Sequence, residues 1–204
     1  MKVRSRKVEQ AEATRTELLR VARELFTSEG FAETSTEELV QRAGVTRGAL
    51  YHHFASKEEL LRDLVMEIGE DLTQKIHVAA TNRATVLEGF IAGCEVFLDA
   101  CLDPSVQRIL IIEAPAVLGA DEMRQIDERC WLSVMKVGIA KAIDAGEIVA
   151  QPVETLARVM LGAMYEGALH IARADDHVAA RQEVGTILRR FLSALVVNAG
   201  AATT

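Results

Sequence analysis

An all-α protein of about nine helices is what this sequence predicts, from three observations. Only 3 prolines and 13 glycines interrupt 204 residues, so there are few chain breaks. Aromatic residues, favoured in strand-rich sandwiches and barrels, amount to one Trp, two Tyr and six Phe. Apolar residues recur at three- and four-residue steps over most of the chain, the period of a helix with one buried face. A composition that is 50% hydrophobic and 26% charged suits a chain that buries a core and excludes disorder. No apolar run approaches the roughly 18 residues a membrane span requires. The basic start, Met1 to Lys7, lacks the apolar segment of a secretion signal. A soluble, cytoplasmic chain without a membrane partner is expected.

Residues 1–13 are polar and basic and are read as a frayed, flexible arm. From Thr14, the positions Leu18, Ala22, Leu25 and Phe26 form a helical stripe that ends at Gly30. Ser35 with Glu38 makes a capping box that opens a second helix carrying Leu39, Val40 and Ala43, and Gly44 stops it. After Val45 and Thr46 a third short helix runs from Arg47 to Phe54. Ser56 with Glu59 is a further capping box, and its helix extends to about Ala80.

Beyond it, residues 84–102 carry the stripe Leu87, Ile91, Cys94, Leu98 and Cys101. Asp103-Pro104 is an N-cap followed by proline at the first helical position; the short helix it opens is expected to end before Pro115. Further helices are expected from Asp121 to about Ala145, from Pro152 to about Ala174, and from about His177 to Val197.

Two short helices joined by a glycine-containing turn form the helix-turn-helix pattern, in which the second helix enters the DNA major groove. Leu39, Ala43, Val45 and Leu50 are spaced to pack the pair, and Arg47, Gly48, Tyr51 and His52 occupy the outer face. By itself the pattern also fits two core helices with a solvated face. Charge is uneven: residues 1–60 carry ten basic and ten acidic side chains, while the remainder holds the whole net charge of −7. An anionic partner would therefore meet the N-terminal third.

From about Thr14 to Leu61 the sequence resembles the TetR family of bacterial transcriptional regulators. The resemblance lies in Thr16-Glu17-Leu18-Leu19, Ala22 to Phe26, Glu29 to Ser35, Ala43 to Phe54, and Ser56 to Leu61. It implies a helix-turn-helix DNA-binding domain at 14–61, joined by a long helix to an effector-binding and dimerisation domain at 62–204. The function it implies is that of a homodimeric repressor on double-stranded, palindromic operator DNA, released by a small-molecule effector. The alternative is a DNA-binding dimer controlled by a protein partner or by no signal.

On these residues the resemblance places phosphate contacts at Tyr51, His53 and Lys57, with Ser35 and Thr36 also at the DNA. Thr46 caps the recognition helix and offers its hydroxyl to a phosphate. Arg47 is the leading base reader, because a guanidinium pairs bidentately with guanine. Gly48 and Ala49 allow close approach, and His52 reaches a base or a phosphate. Glu37 departs from the pattern, being acidic where some members carry a basic base-reading residue. The arm residues Lys2, Arg4, Arg6 and Lys7 are read as a solvated tail, with entry into a minor groove as the alternative.

The resemblance implies that the last two helices form the homodimer interface, with burial inside one subunit as the alternative. The first of them is apolar around much of its circumference, with Leu156, Met160, Ala163, Met164, Gly167 and Ile171. The resemblance further implies that the middle helices enclose a pocket for an apolar or amphipathic molecule. Its candidate lining is Cys94, Phe97, Cys101, Trp131, Met135, Met164, Tyr165 and His170, with Glu113 as a further polar group. Three cysteines, counting Cys130, imply no disulfide framework. His170 and Glu166 have metal-pair spacing but no third ligand nearby in sequence, so no metal is expected. No catalytic or nucleotide-binding fingerprint occurs; neither enzymatic activity nor a cofactor is expected.

Overall fold

The computed structural model describes the backbone of residues 6–197 and side chains from residue 8. Lys2 and Arg4 of the predicted arm lie outside the described residues. Among the described residues nine α-helices follow one another: α1 (Arg6–Ser28), α2 (Thr36–Arg42), α3 (Arg47–His53), α4 (Lys57–Ala80), α5 (Val86–Ala100), α6 (Ala114–Asp127), α7 (Ser133–Asp144), α8 (Val153–Arg173) and α9 (His177–Ser193). Helix α1 starts eight residues before the expected Thr14, so much of the predicted arm is helical. Among the described residues, extended pairing is confined to one isolated bridge between Ile148 and Val196. Accordingly α9 ends at Ser193, short of the expected Val197.

Of each expected capping box the serine half forms, while Glu38 turns to Arg42 and Glu59 accepts the Ala55 N–H instead of the Ser56 one. Ser35 accepts the Glu38 N–H at 3.1 Å and Ser56 the Glu59 N–H at 3.2 Å, each taking up one of the donors that a helix start leaves free. The chain differs from expectation around Pro115. Helix continues through it, because Pro115 stands in the first turn of α6, where a missing N–H costs little. The break comes at Gly119, whose φ of 79° and ψ of 170° kink α6. Two π-helical stretches flank α6, Val106–Glu113 before it and Glu128–Leu132 after it.

Helices α1, α2 and α3 pack with the first half of α4 as a headpiece. Leu18, Ala22, Leu25 and Phe26 from α1 meet Leu39, Leu50, Phe54, Leu60 and Leu64 there, all buried. This core is continuous with the body through Val65, Ile68 and Leu72 of α4, so one rod serves both parts. The seam is also polar. Arg108, in the first π-helical stretch, donates to the carbonyls of Thr27, Ser28 and Glu29 at 3.3, 3.2 and 2.8 Å, and its Nε meets Glu113 Oε1 at 3.3 Å. The other oxygen of Glu113 accepts the Phe31 N–H at 2.8 Å. Arg23 of α1 donates to Ser105 Oγ at 2.9 Å.

Gly30 sits in this seam with φ of 97°, and a Cβ there would overlap Arg108 Nη2 and lie 2.7 Å from Glu113 Oε1. Gly30→Ala should therefore both strain the backbone and push the clamp apart. A loss of about 1–3 kcal/mol in urea unfolding is expected; an unchanged midpoint would contradict this account of the seam.

Candidate nucleic-acid interface and internal cavity

The α2–α3 unit is built from its caps inward. Val45 N–H reaches back to Val40 O at 3.0 Å and Gly44 N–H to Gln41 O at 3.2 Å, a Schellman closure that needs the positive φ of 65° at Gly44. Thr46 then caps α3, accepting the Ala49 N–H at 3.2 Å. Leu39 and Leu50 are buried and Val40, Ala43 and Val45 pack against the core, so the outer face of α3 is the part left free.

That face is Thr46, Arg47, Gly48, Tyr51 and His52, all exposed, with Ala49 and His53 half-buried. A Cβ on Gly48 would come no closer to another residue than 3.9 Å, to Thr46 Oγ1. A helical glycine costs about 1 kcal/mol relative to alanine, and nothing inside the chain requires one here.

Arg47 is not idle. Its guanidinium pairs with Glu37 Oε1 at 2.8 Å and its Cζ lies 5.6 Å from the Tyr51 ring centroid. Glu37, the departure noted in the sequence, thus holds the predicted base reader across the α2–α3 surface. Its carboxyl sits below the usual range, chiefly through its own backbone N–H, then the Thr36 hydroxyl and Arg47. Beside this pair a cleft of about 480 Å³ gathers Ser35, Thr36, Tyr51 and Lys57, four of the residues expected at DNA. Lys57 differs from the rest. Its ammonium donates to Phe31 O at 2.6 Å and Thr34 O at 2.9 Å and lies 4.3 Å from the Phe31 ring centroid. Two of its three donors tie the α1–α2 loop to α4.

The body encloses a cavity of about 530 Å³ between α4, α5, the 128–132 π-helical stretch, α7 and α8. Of the expected lining, Cys94, Phe97, Trp131, Met135, Met164 and Tyr165 face it. Three do not. Cys101 lies seven residues beyond Cys94, about 10.5 Å down the axis, and is fully buried where α5 ends. Glu113 belongs to the headpiece seam. His170 is exposed, away from the cavity.

Sequence reasoning missed Ile76, Phe90 and the residues 81–85. The available signal was Gly89 and Gly93, one turn apart on α5: a Cβ on Gly89 would fall 2.7 Å from Ala80 O and one on Gly93 3.0 Å from Ile76. These glycines let α4 and α5 close together at that end.

In the depth of the cavity the wall carries one phenol, backed by a carboxyl group behind it. Tyr165 donates to Asp127 Oδ1 at 2.6 Å; burial, then the Asp127 charge, drives the phenol upward. Burial likewise raises Asp127, with the Tyr165 bond opposing it. Trp131 Nε1 is buried facing the Tyr165 hydroxyl, without the geometry of a full hydrogen bond. Burial pushes the thiols of Cys94 and Cys101 up to about 12 and raises that of Cys130, so all three are protonated and weakly nucleophilic near neutrality.

Comparison with known proteins agrees with this geometry. Residues 18–64 match the description "Bacterial regulatory proteins, tetR family", and residues 87–195 match "Tetracyclin repressor-like, C-terminal domain". A crystal structure of a TetR-family transcriptional regulator from Pectobacterium atrosepticum is 33% identical, with a TM-score of 0.81, over 96% of this chain and 99% of that one. The Transposon Tn10 TetC protein of Escherichia coli is 27% identical over 96% of this chain and 98% of its own length. The HTH-type transcriptional repressor KstR2 of Rhodococcus jostii is 27% identical over 61% of this chain and 65% of its own length. Among the described residues, no helix is long and apolar enough to cross a membrane.

His53 supplies a pH test. Burial, then His52 and Arg15, hold its imidazole below the ordinary 6.5. The unfolded chain therefore takes up the proton first, and stability present above about 6.5 is lost as the pH falls below it. The melting temperature should drop between about pH 7.5 and about pH 5.5, and drop less in His53→Gln. Equal slopes for the two proteins would remove His53 from the account.

Proposed function

The chain belongs to the TetR family of transcriptional regulators, and from that premise we propose that it is a homodimeric, sequence-specific repressor released from a palindromic operator by a small apolar or amphipathic effector. Residues 14–61 are the DNA-binding domain and 62–204 the effector-binding and dimerisation domain. The observation that carries the DNA reading is the outer face of α3, where Arg47, Gly48 and Tyr51 are exposed and Gly48 has no internal neighbour to explain it. Arg47 leaves Glu37 to read a guanine, Tyr51 meets the backbone, His52 reaches a base or a phosphate, and Ser35, Thr36 and Thr46 present hydroxyls to phosphates. His53 adds a phosphate contact from the end of α3, and Ala49 lies against the base edges. Lys57 acts first by holding the 29–35 loop in place and has one donor left for a phosphate.

Dimerisation is supported by what α8 and α9 leave uncovered. Val159 is 63% exposed, Ile187 47% and Phe191 58%, and a Cβ on Gly162 would meet open space. A second copy covering these residues would set two recognition helices about 34–36 Å apart, one turn of DNA. Effector control is supported by the cavity, whose volume of about 530 Å³ falls in the usual range for small-molecule sites. Trp131 in its wall and Arg108 in the headpiece seam lie on one helical run that bends at Gly119. A ligand that displaces the 128–132 stretch would move the seam with it, and a coupling of about 1–3 kcal/mol suffices for release.

Selection of bound fragments from genomic DNA by the purified protein tests the reading and should return a palindrome. Arg47→Ala should lower discrimination at one base pair per half-site by about 1–3 kcal/mol while leaving non-specific binding nearly intact; unchanged sequence preference would rule out Arg47 as the reader. Phe191→Glu should give a monomer in sedimentation and weaken operator binding at least about tenfold. A dimer of undiminished affinity would place the interface elsewhere.

A further inference from the structure

The cavity is apolar in its depth but not at its mouth. Phe90, Phe97, Trp131, Met135 and Met164 make the walls, whereas the exposed residues that complete the lining include His77, Arg83 and Lys141. The lining holds one carboxylate, Glu147, and it is engaged. Its two oxygens accept the Val86 and Leu87 N–H groups at 2.9 and 2.7 Å, so its charge answers the positive end of α5. Arg83 uses Nε on Ala79 O at 2.9 Å and keeps its terminal nitrogens free. Among the described residues, no ion pair involves His77, Arg83 or Lys141. In a chain of net charge −7, two unpaired cations and an imidazole around one opening form a local field of the opposite sign.

We infer that the cavity takes an amphipathic organic anion, with its apolar body against Trp131 and Phe97 and its anionic head at Arg83, Lys141 and His77. The inference rests on the reading of this cavity as the effector site and narrows that site's chemistry. A neutral amphiphile gains only from burial of its body. A cationic one is opposed at the mouth. An anion gains from both ends, and more so because the low-dielectric wall beside the opening weakens solvent screening. A carboxylate and a phosphate head satisfy the same groups, so the shared requirement is negative charge on an apolar body.

Trp131 is the chain's single tryptophan and lines the cavity, so its fluorescence reports occupancy. The full-length protein is titrated with decanoate, decanol and decyltrimethylammonium, which share one chain and differ in head charge. Decanoate should bind at least about fivefold tighter than decanol, decyltrimethylammonium should bind weakest, and added salt should erode the decanoate advantage. In the Arg83→Ala/Lys141→Ala variant the advantage should vanish while decanol affinity is kept, which also shows that the variant is folded. Decanol binding as tightly as decanoate, or a variant that retains the preference, overturns the anion inference and leaves the cavity reading intact. No spectral response to any of the three overturns the cavity reading, and the inference falls with it.

Discussion

The last carbonyls of α1 have no partners within their own helix, and in this fold Arg108 supplies them. One guanidinium reaches three consecutive carbonyls, Thr27 to Glu29, while keeping contact with Glu113, whose second oxygen takes the N–H of Phe31. The arrangement closes the end of α1, orders the turn into α2, and attaches the headpiece to the body in one stroke. It works only because Gly30 has no side chain: a Cβ would occupy the space of the Arg108 guanidinium. The direction in which α3 faces is thus set in part by a residue in the body, sixty positions further along the chain.

This polar seam complements a continuous apolar one. Helix α4 carries Leu60 and Leu64 into the headpiece core and Ile68 and Leu72 into the body, and close packing makes such a rod transmit displacement instead of absorbing it. The helical run from Val106 to Asp144 offers a second route, with a π-helical stretch at the headpiece, a kink at Gly119 and another π-helical stretch at the cavity. π-helical turns often mark functional positions in helices. Here one carries Arg108 and the other carries Trp131.

The recognition surface shows how a residue can be read correctly in type and incompletely in role. Arg47 and Tyr51 stand on the outer face as their helical phase requires. The same phase cannot reveal that Glu37, ten residues earlier, pairs with Arg47, because the contact crosses a turn. Lys57 looks from the sequence like a free cation in the first turn of a helix, the usual position for an anion contact. Only its distance to Phe31 and Thr34 shows that loop carbonyls hold it. Glu113, Cys101 and His170 have side chains suited to the pocket that the resemblance implies, yet each lies elsewhere for a geometric reason: a seam, an axial offset, and an outward phase.

What the amino-acid order determined by itself is local. Caps, periodicity and glycine stops act within a few residues, so the helices, the α2–α3 turn and the buried faces of the headpiece were legible, as was the resemblance carried by its motifs. Even there, α1 begins earlier than the arm's composition implied, since polar residues on an exposed helix leave no stripe to read. The cavity, its cationic mouth and the Arg108 clamp were decided by tertiary structure. Each joins residues that are distant in sequence, and no local propensity specifies which helices meet or what remains empty between them.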